Sequence, residues 1–122
     1  MTDAPLVLLV EDETMIAMMV EDELRDAGYG VAGPFATCSA ASSWLLTNTA
    51  DLAILDTRLQ DGSCQELALE LRDRSVPFVV YSGAIDTHLT ELEGAPWVSK
   101  PAPGTALLDA LKTVASRRQD AA

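Results

Sequence analysis

Five residues with chemistry to offer each stand at the end of a short apolar run. "LVLLV" (6–10) runs into Glu11 and Asp12, "LAIL" (52–55) into Asp56, "PFVVYS" (77–82) closes on Ser82, and "WVS" (97–99) runs into Lys100. An apolar strand gains nothing from ending on a charge. If the three carboxylates gather, they repel one another, and one holds a proton unless a cation sits among them. Mg²⁺ suits such a set: a hard ion held by one or two carboxylates that keeps waters and accepts phosphate oxygens. A carboxylate is also a nucleophile that can take a phosphoryl group as an aspartyl phosphate. Such a transfer needs positive charge near the moving oxygens, which Mg²⁺ and Lys100 would supply, and Ser82 could donate a hydrogen bond to one of them. Taken singly, Asp12 reads as a helix cap and Asp56 as a turn residue, and Ser82 or Lys100 says nothing. The joint pattern is the signal.

The elements that would position these residues follow from periodicity. Between the apolar runs, and a weaker one at "GVAGPF" (30–35), lie helical patterns. The first carries Ile16, Val20, Leu24 and Ala27 at helical spacing, with Gly28 as its stop. The second spans 37–48 with Thr37 as a cap, and the third spans 63–74 on Cys64, Leu67, Ala68 and Leu71. The last spans 104–117 on Leu107, Leu108, Leu111 and Val114, while "GAIDTHLTELEGA" (83–95) leaves room for two turns of helix at most. Strands alternating with helices imply an α/β domain with a parallel sheet covered on both faces. In such a sheet every strand's C-terminus lies on one edge, where ligands usually bind. Right-handed crossovers would therefore bring all five residues to that edge.

Bulk properties narrow the classes. The chain's 122 residues suit one domain, and 48% hydrophobic residues supply a core. A net charge of −11 would repel a nucleic-acid backbone and suits a basic or metal-bearing partner surface. Cys38 and Cys64 stand far apart and His88 is the one histidine, so a structural zinc site lacks ligands. There is no signal-peptide core and no run long enough to span a bilayer, so a cytoplasmic protein without a membrane partner is expected. "GYGVAG" (28–33) matches G-x-G-x-x-G by letter, but it follows a helix and precedes a strand, which reads as a helix stop and a turn. Of Met15, Met18 and Met19, some are expected in the core and others facing a partner.

These residues resemble the receiver domain of two-component response regulators. "LLVEDE" looks like that family's first strand and acidic pair, "AILDTRLQDG" like its phosphoacceptor strand and loop, "PFVVYSG" like its fourth strand, and "WVSKP" like its Lys-Pro element. The resemblance spans roughly residues 5 to 117 and implies a doubly wound, flavodoxin-like sheet of five parallel strands in the order 2-1-3-4-5. It implies that Asp56 accepts a phosphoryl group from a phosphohistidine on a sensor kinase or phosphotransfer protein. Asp12, Asp56 and the carbonyl of Arg58 would ligate Mg²⁺, with Glu11 acting through a water. Thr57, Ser82, Gly83 and Lys100 would surround the phosphoryl oxygens, and Ser82 with Trp97 would form the switch that a downstream protein target reads. Lys100–Pro101 is a candidate cis peptide, as in relatives.

The departures are a short loop after Asp56 without the usual proline, and a short stretch from Ser82 to Lys100. With Trp97 where relatives carry Tyr or Phe, they resemble an atypical single-domain subset whose fourth helix is short or absent. The expectation is one receiver domain over 1–122, without an output domain, signalling rather than turning over a substrate. Two other readings stay open. One is an aspartate-nucleophile phosphatase, weakened because Arg58 stands where a second Asp is usual. The other is a receiver-shaped binding module that works without phosphorylation.

Overall fold

A computed structural model describes residues 5–56, 65–82, 95–100 and 104–121. In chain order these form β1 (Leu6–Val10), α1 (Thr14–Asp26), β2 (Gly30–Phe35), α2 (Cys38–Leu45), β3 (Leu52–Leu55), α3 (Gln65–Asp73), β4 (Phe78–Ser82), β5 (Trp97–Ser99) and α4 (Gly104–Ala121). The five strands make one sheet in the order β2-β1-β3-β4-β5, and every neighbouring pair is parallel. This is the flavodoxin-like arrangement expected from the sequence.

The sheet is covered on both faces, which is why its central strands are apolar at every position. Leu8, Val10, Ala53, Leu55, Phe78 and Val80 pack under α2 and α3 against Ala41, Leu45, Leu67, Ala68 and Leu71. Their alternating neighbours Val7, Leu9, Leu52, Ile54, Val79 and Tyr81 pack under α1 and α4 against Val20, Leu24, Leu107, Leu111 and Val114. Each fully buried Leu or Ile stabilises the fold by about 1.5–3 kcal/mol. Leu8, Leu9, Ile54 and Leu55 are all in that class, so β1 beside β3 is fully buried at the centre of the sheet.

Several local expectations meet their physical reason here. Thr37 caps α2, its hydroxyl accepting from the Ala40 N–H at 3.0 Å. The helix stops at Leu45 rather than 48, because its end tightens to Leu46 N–H to Ser43 and Thr47 N–H to Trp44 bonds. The Asn48 side chain donates to the same Trp44 carbonyl at 2.9 Å. At the end of α1, Gly28 (φ +96°) closes a Schellman turn in which Tyr29 N–H reaches Leu24 and Gly28 N–H reaches Arg25. Gly33 (φ +102°) lies so close to β1 that a Cβ would meet the Leu9 carbonyl at 2.8 Å. The glycines of "GYGVAG" thus stop a helix and admit a strand.

Two further expectations are corrected. The buried stripe of α1 is Ala17, Val20 and Leu24, with Ile16 only partly covered and Ala27 exposed, because Ala27 lies beyond the last turn as the C-cap. Met15, Met18 and Met19 all face outward, so none of the three enters the core. The segment 83–94, where a short or absent helix is expected, lies outside the described residues.

Candidate functional site

The sheet's hydrogen-bond ladder runs one residue past the ends of three strands. Glu11 N–H donates to the Phe35 carbonyl at 2.9 Å, Asp56 N–H to Val10 at 3.0 Å, and Lys100 N–H to Ser82 at 3.1 Å. The chain therefore holds these residues as firmly as the strands that precede them. They also share a face. Leu9, Ile54 and Val98, each two positions earlier, all pack on the α1–α4 side. Strand register does the rest, since Val10 pairs with Leu55 and places Glu11 beside Asp56.

The side chains meet. The Lys100 ammonium lies 2.9 Å from Asp56 Oδ2 and forms a second ion pair with Glu11 Oε1. The other Glu11 oxygen, Oε2, accepts the Glu13 N–H at 3.1 Å at the start of α1. One ligand oxygen from each of Glu11, Asp12 and Asp56 lies within 4.8 Å of the others. Asp12 is half-buried and forms the open side of the group. Among the described residues the buried polar or charged side chains are Glu11, Asp56 and Ser82, all at this edge. Burying two carboxylates and an ammonium costs several kcal/mol per ion before their attraction is counted, and apolar residues of similar size would serve stability as well or better. A cluster of this kind marks a functional site.

The electrostatics agree. Burial pushes the Glu11 carboxyl up to about 7, against the partial relief given by Lys100 and the Glu13 N–H, and with Asp56 adding repulsion. For Lys100, burial alone would favour the neutral amine, but its bonds to Glu11 and Asp56 outweigh it and hold the ammonium above its ordinary range. Among the described residues the two carboxylates share the Lys100 ammonium. The donor set is all oxygen, anionic, clustered and open on one side, and it fits Mg²⁺, which needs few protein ligands.

A pH dependence follows. Unfolded Glu11 loses its proton near its ordinary 4.5 whereas the folded carboxyl keeps it to about 7, so its contribution is fully present below 4.5 and is lost as pH rises through 7. Metal-free protein should melt at progressively lower temperature between those limits. Mg²⁺ should raise the melting temperature more at pH 8 than at pH 5, where the proton competes for Glu11. Thermal melts with EDTA or excess Mg²⁺, on wild type and Glu11→Gln, check this. A wild-type slope no steeper than that of Glu11→Gln would refute it.

Of the other residues singled out in the sequence, Ser82 is buried at the end of β4 and accepts the Lys100 N–H through its carbonyl. Trp97 opens β5 opposite Val80, 37% exposed, and strand alternation puts it on the face away from Val98 and Lys100. Thr57, Arg58, Gly83 and the Lys100–Pro101 bond lie outside the described residues. One contact has no precedent in the sequence reading: the Lys100 Nζ stands 5.5 Å over the centre of the Tyr81 ring. Tyr81 pairs with Val98 in the sheet, so the alternation that carries Lys100 to this face was its one available signal.

The sequence matches the response regulator receiver domain family over residues 7–112. No curated protein matches it. Among solved structures it is similar to a response regulator receiver domain protein from Methanospirillum hungatei, with 22% identity over 98% of this chain and 99% of that one and a TM-score of 0.87. It is also similar to SdrG from Sphingomonas melonis, with 30% identity, 93% and 98% coverage and a TM-score of 0.79. A third similar structure, the receiver domain of a modulated diguanylate cyclase from Desulfovibrio desulfuricans, gives 21% identity, 98% and 100% coverage and a TM-score of 0.88. Among the described residues no helix is long and apolar enough to cross a membrane.

Proposed function

Because the chain belongs to the response regulator receiver domain family, we propose that it is a phosphoacceptor whose Asp56 takes a phosphoryl group from a phosphohistidine on a sensor kinase or phosphotransfer protein. The observation that carries this reading is the buried Lys100–Asp56–Glu11 cluster at the sheet edge. A lone pair on an Asp56 carboxylate oxygen attacks the phosphorus, the new P–O bond forms as the donor's P–N bond breaks, and the imidazole nitrogen leaves with the electron pair. Lys100 lies beside Asp56 Oδ2 and offsets negative charge on the moving oxygens. Glu11, Asp12 and Asp56 would hold Mg²⁺, which supplies further positive charge to the phosphoryl group. Ser82 ends β4 at the same edge and is the candidate hydroxyl that reads phosphorylation. The aspartyl phosphate then hydrolyses to restore Asp56, so the product is a signal held for a time rather than a released metabolite.

The direct test is the intact mass after incubation with acetyl phosphate, with and without Mg²⁺. One Mg²⁺-dependent phosphoryl adduct is the expected result. An unmodified mass with acetyl phosphate and also with a phosphorylated kinase would favour the phosphorylation-independent module instead.

Docking to the donor has its own candidate surface. Met18 and Met19 are 58% and 60% exposed on α1, beside the acids Glu21 and Asp22. Methionine adapts to partner surfaces, and this helix begins at the metal-binding acids. The double variant Met18→Glu, Met19→Glu should lose roughly 10- to 100-fold in phosphotransfer from a cognate kinase, as two central interface side chains do. Its labelling by acetyl phosphate should stay at the wild-type rate. Wild-type transfer from the kinase would remove α1 from the docking surface.

A further inference from the structure

We propose that Tyr81 is a positioning residue whose ring face holds the Lys100 ammonium at Asp56, a role that rests, for its effect on phosphotransfer, on the reading given above. Tyr81 closes the α1–α4 core cluster, whose other buried members are Val, Leu and Ile. Its ring centre lies 5.5 Å from Lys100 Nζ, within the range at which an aromatic face attracts a cation. The lysine side chain is only 11% exposed, and a desolvated cation gains more from such a face than one in water. Strand register makes the contact a fixed one, because Tyr81 pairs with Val98 and Lys100 is the next residue on that side.

The ring matters because the other described partners of the ammonium have a second use. Glu11 and Asp56 both belong to the acidic group, so any cation bound there draws on the same carboxylates that hold Lys100. The Tyr81 face carries no net charge and binds no divalent ion. It is the contact that keeps the ammonium at the edge when the carboxylates are otherwise engaged.

The chain's two lysines, Lys100 and Lys112, make the test clean. With lysine labelled at ¹³Cε, Lys112 is exposed and serves as the reference, while the Cε protons of Lys100 should lie upfield from the ring current. Tyr81→Phe keeps the face and should keep that shift; Tyr81→Leu keeps apolar bulk and should move Lys100 to the Lys112 position. The rate of labelling by saturating acetyl phosphate should fall on the order of tenfold in Tyr81→Leu and be unchanged in Tyr81→Phe, with the half-saturating concentration the same in all three. A Lys100 shift retained in Tyr81→Leu, or lost alike in Tyr81→Phe, overturns the proposal. So does a wild-type labelling rate in Tyr81→Leu. Should wild-type protein take no label from any donor, the phosphoacceptor reading fails, and the lysine spectrum still decides the positioning role.

Discussion

Asp56→Asn is expected to take no phosphoryl group from acetyl phosphate or from a kinase, while folding as the wild type does. The amide oxygen is a poor nucleophile and cannot form the acyl phosphate, so labelling should fall below about one hundredth of wild type. The fold should survive because asparagine has the same shape and the backbone N–H of residue 56 still donates to Val10. The ammonium of Lys100 keeps its partner in Glu11. Losing one of two crowded negative charges also removes the repulsion that Asp56 adds to the burial of Glu11. The metal-free variant should therefore melt no lower than wild type at pH 8. Intact mass and a thermal melt read both halves. A Mg²⁺-dependent adduct persisting in the variant would move the nucleophile elsewhere.

Lys100→Met should be the more damaging change to the fold. It keeps most of the length of the side chain but takes from Glu11 and Asp56, buried side by side, the ammonium that both pair with. Breaking a buried ion pair from one side costs about 3–5 kcal/mol, because the remaining charge is stranded. In a domain of this size that is a fall on the order of 10 °C or more in melting temperature. The loss should be largest in EDTA at pH 8. It should shrink towards pH 5, where Glu11 takes up a proton, and shrink again with Mg²⁺. Labelling by acetyl phosphate should drop by roughly 100-fold, the usual effect of removing one preorganised charge from a transfer site. A metal-free variant at pH 8 as stable as wild type would show that Lys100 does not neutralise this cluster.

The contrast between the two variants is itself informative. One removes a negative charge from a site with too many, and the other removes the only described positive charge. At high pH Lys100→Met should lower stability and Asp56→Asn should not, while both silence phosphotransfer. A merely structural salt bridge would lose stability from either side.

Much of this was legible in the sequence, and for a local reason. Alternation and helical spacing are short-range properties, so β1, β2, β3 and β5 could be read to the residue, as could the cap at Thr37 and the stop at Gly28. That Glu11, Asp56, Ser82 and Lys100 reach one edge also follows from sequence, because parallel strands must all end on the same side. What the sequence could not supply was decided across the sheet. The outward turn of all three methionines on α1 depends on which stripe of that helix meets β1 and α4. The end of α2 at Leu45 depends on competing bonds at Ser43, Trp44 and Asn48.

The ion pair of Lys100 with Glu11 joins residues from the first and last thirds of the chain that share no motif, with β3 and β4 lying between their strands. The Tyr81 contact is set by its pairing with Val98. Residue types at strand ends determined what chemistry this protein could do. Strand order and register decided which charges touch, because contact between side chains is a matter of neighbouring strands, and neighbours in the sheet are distant in the chain.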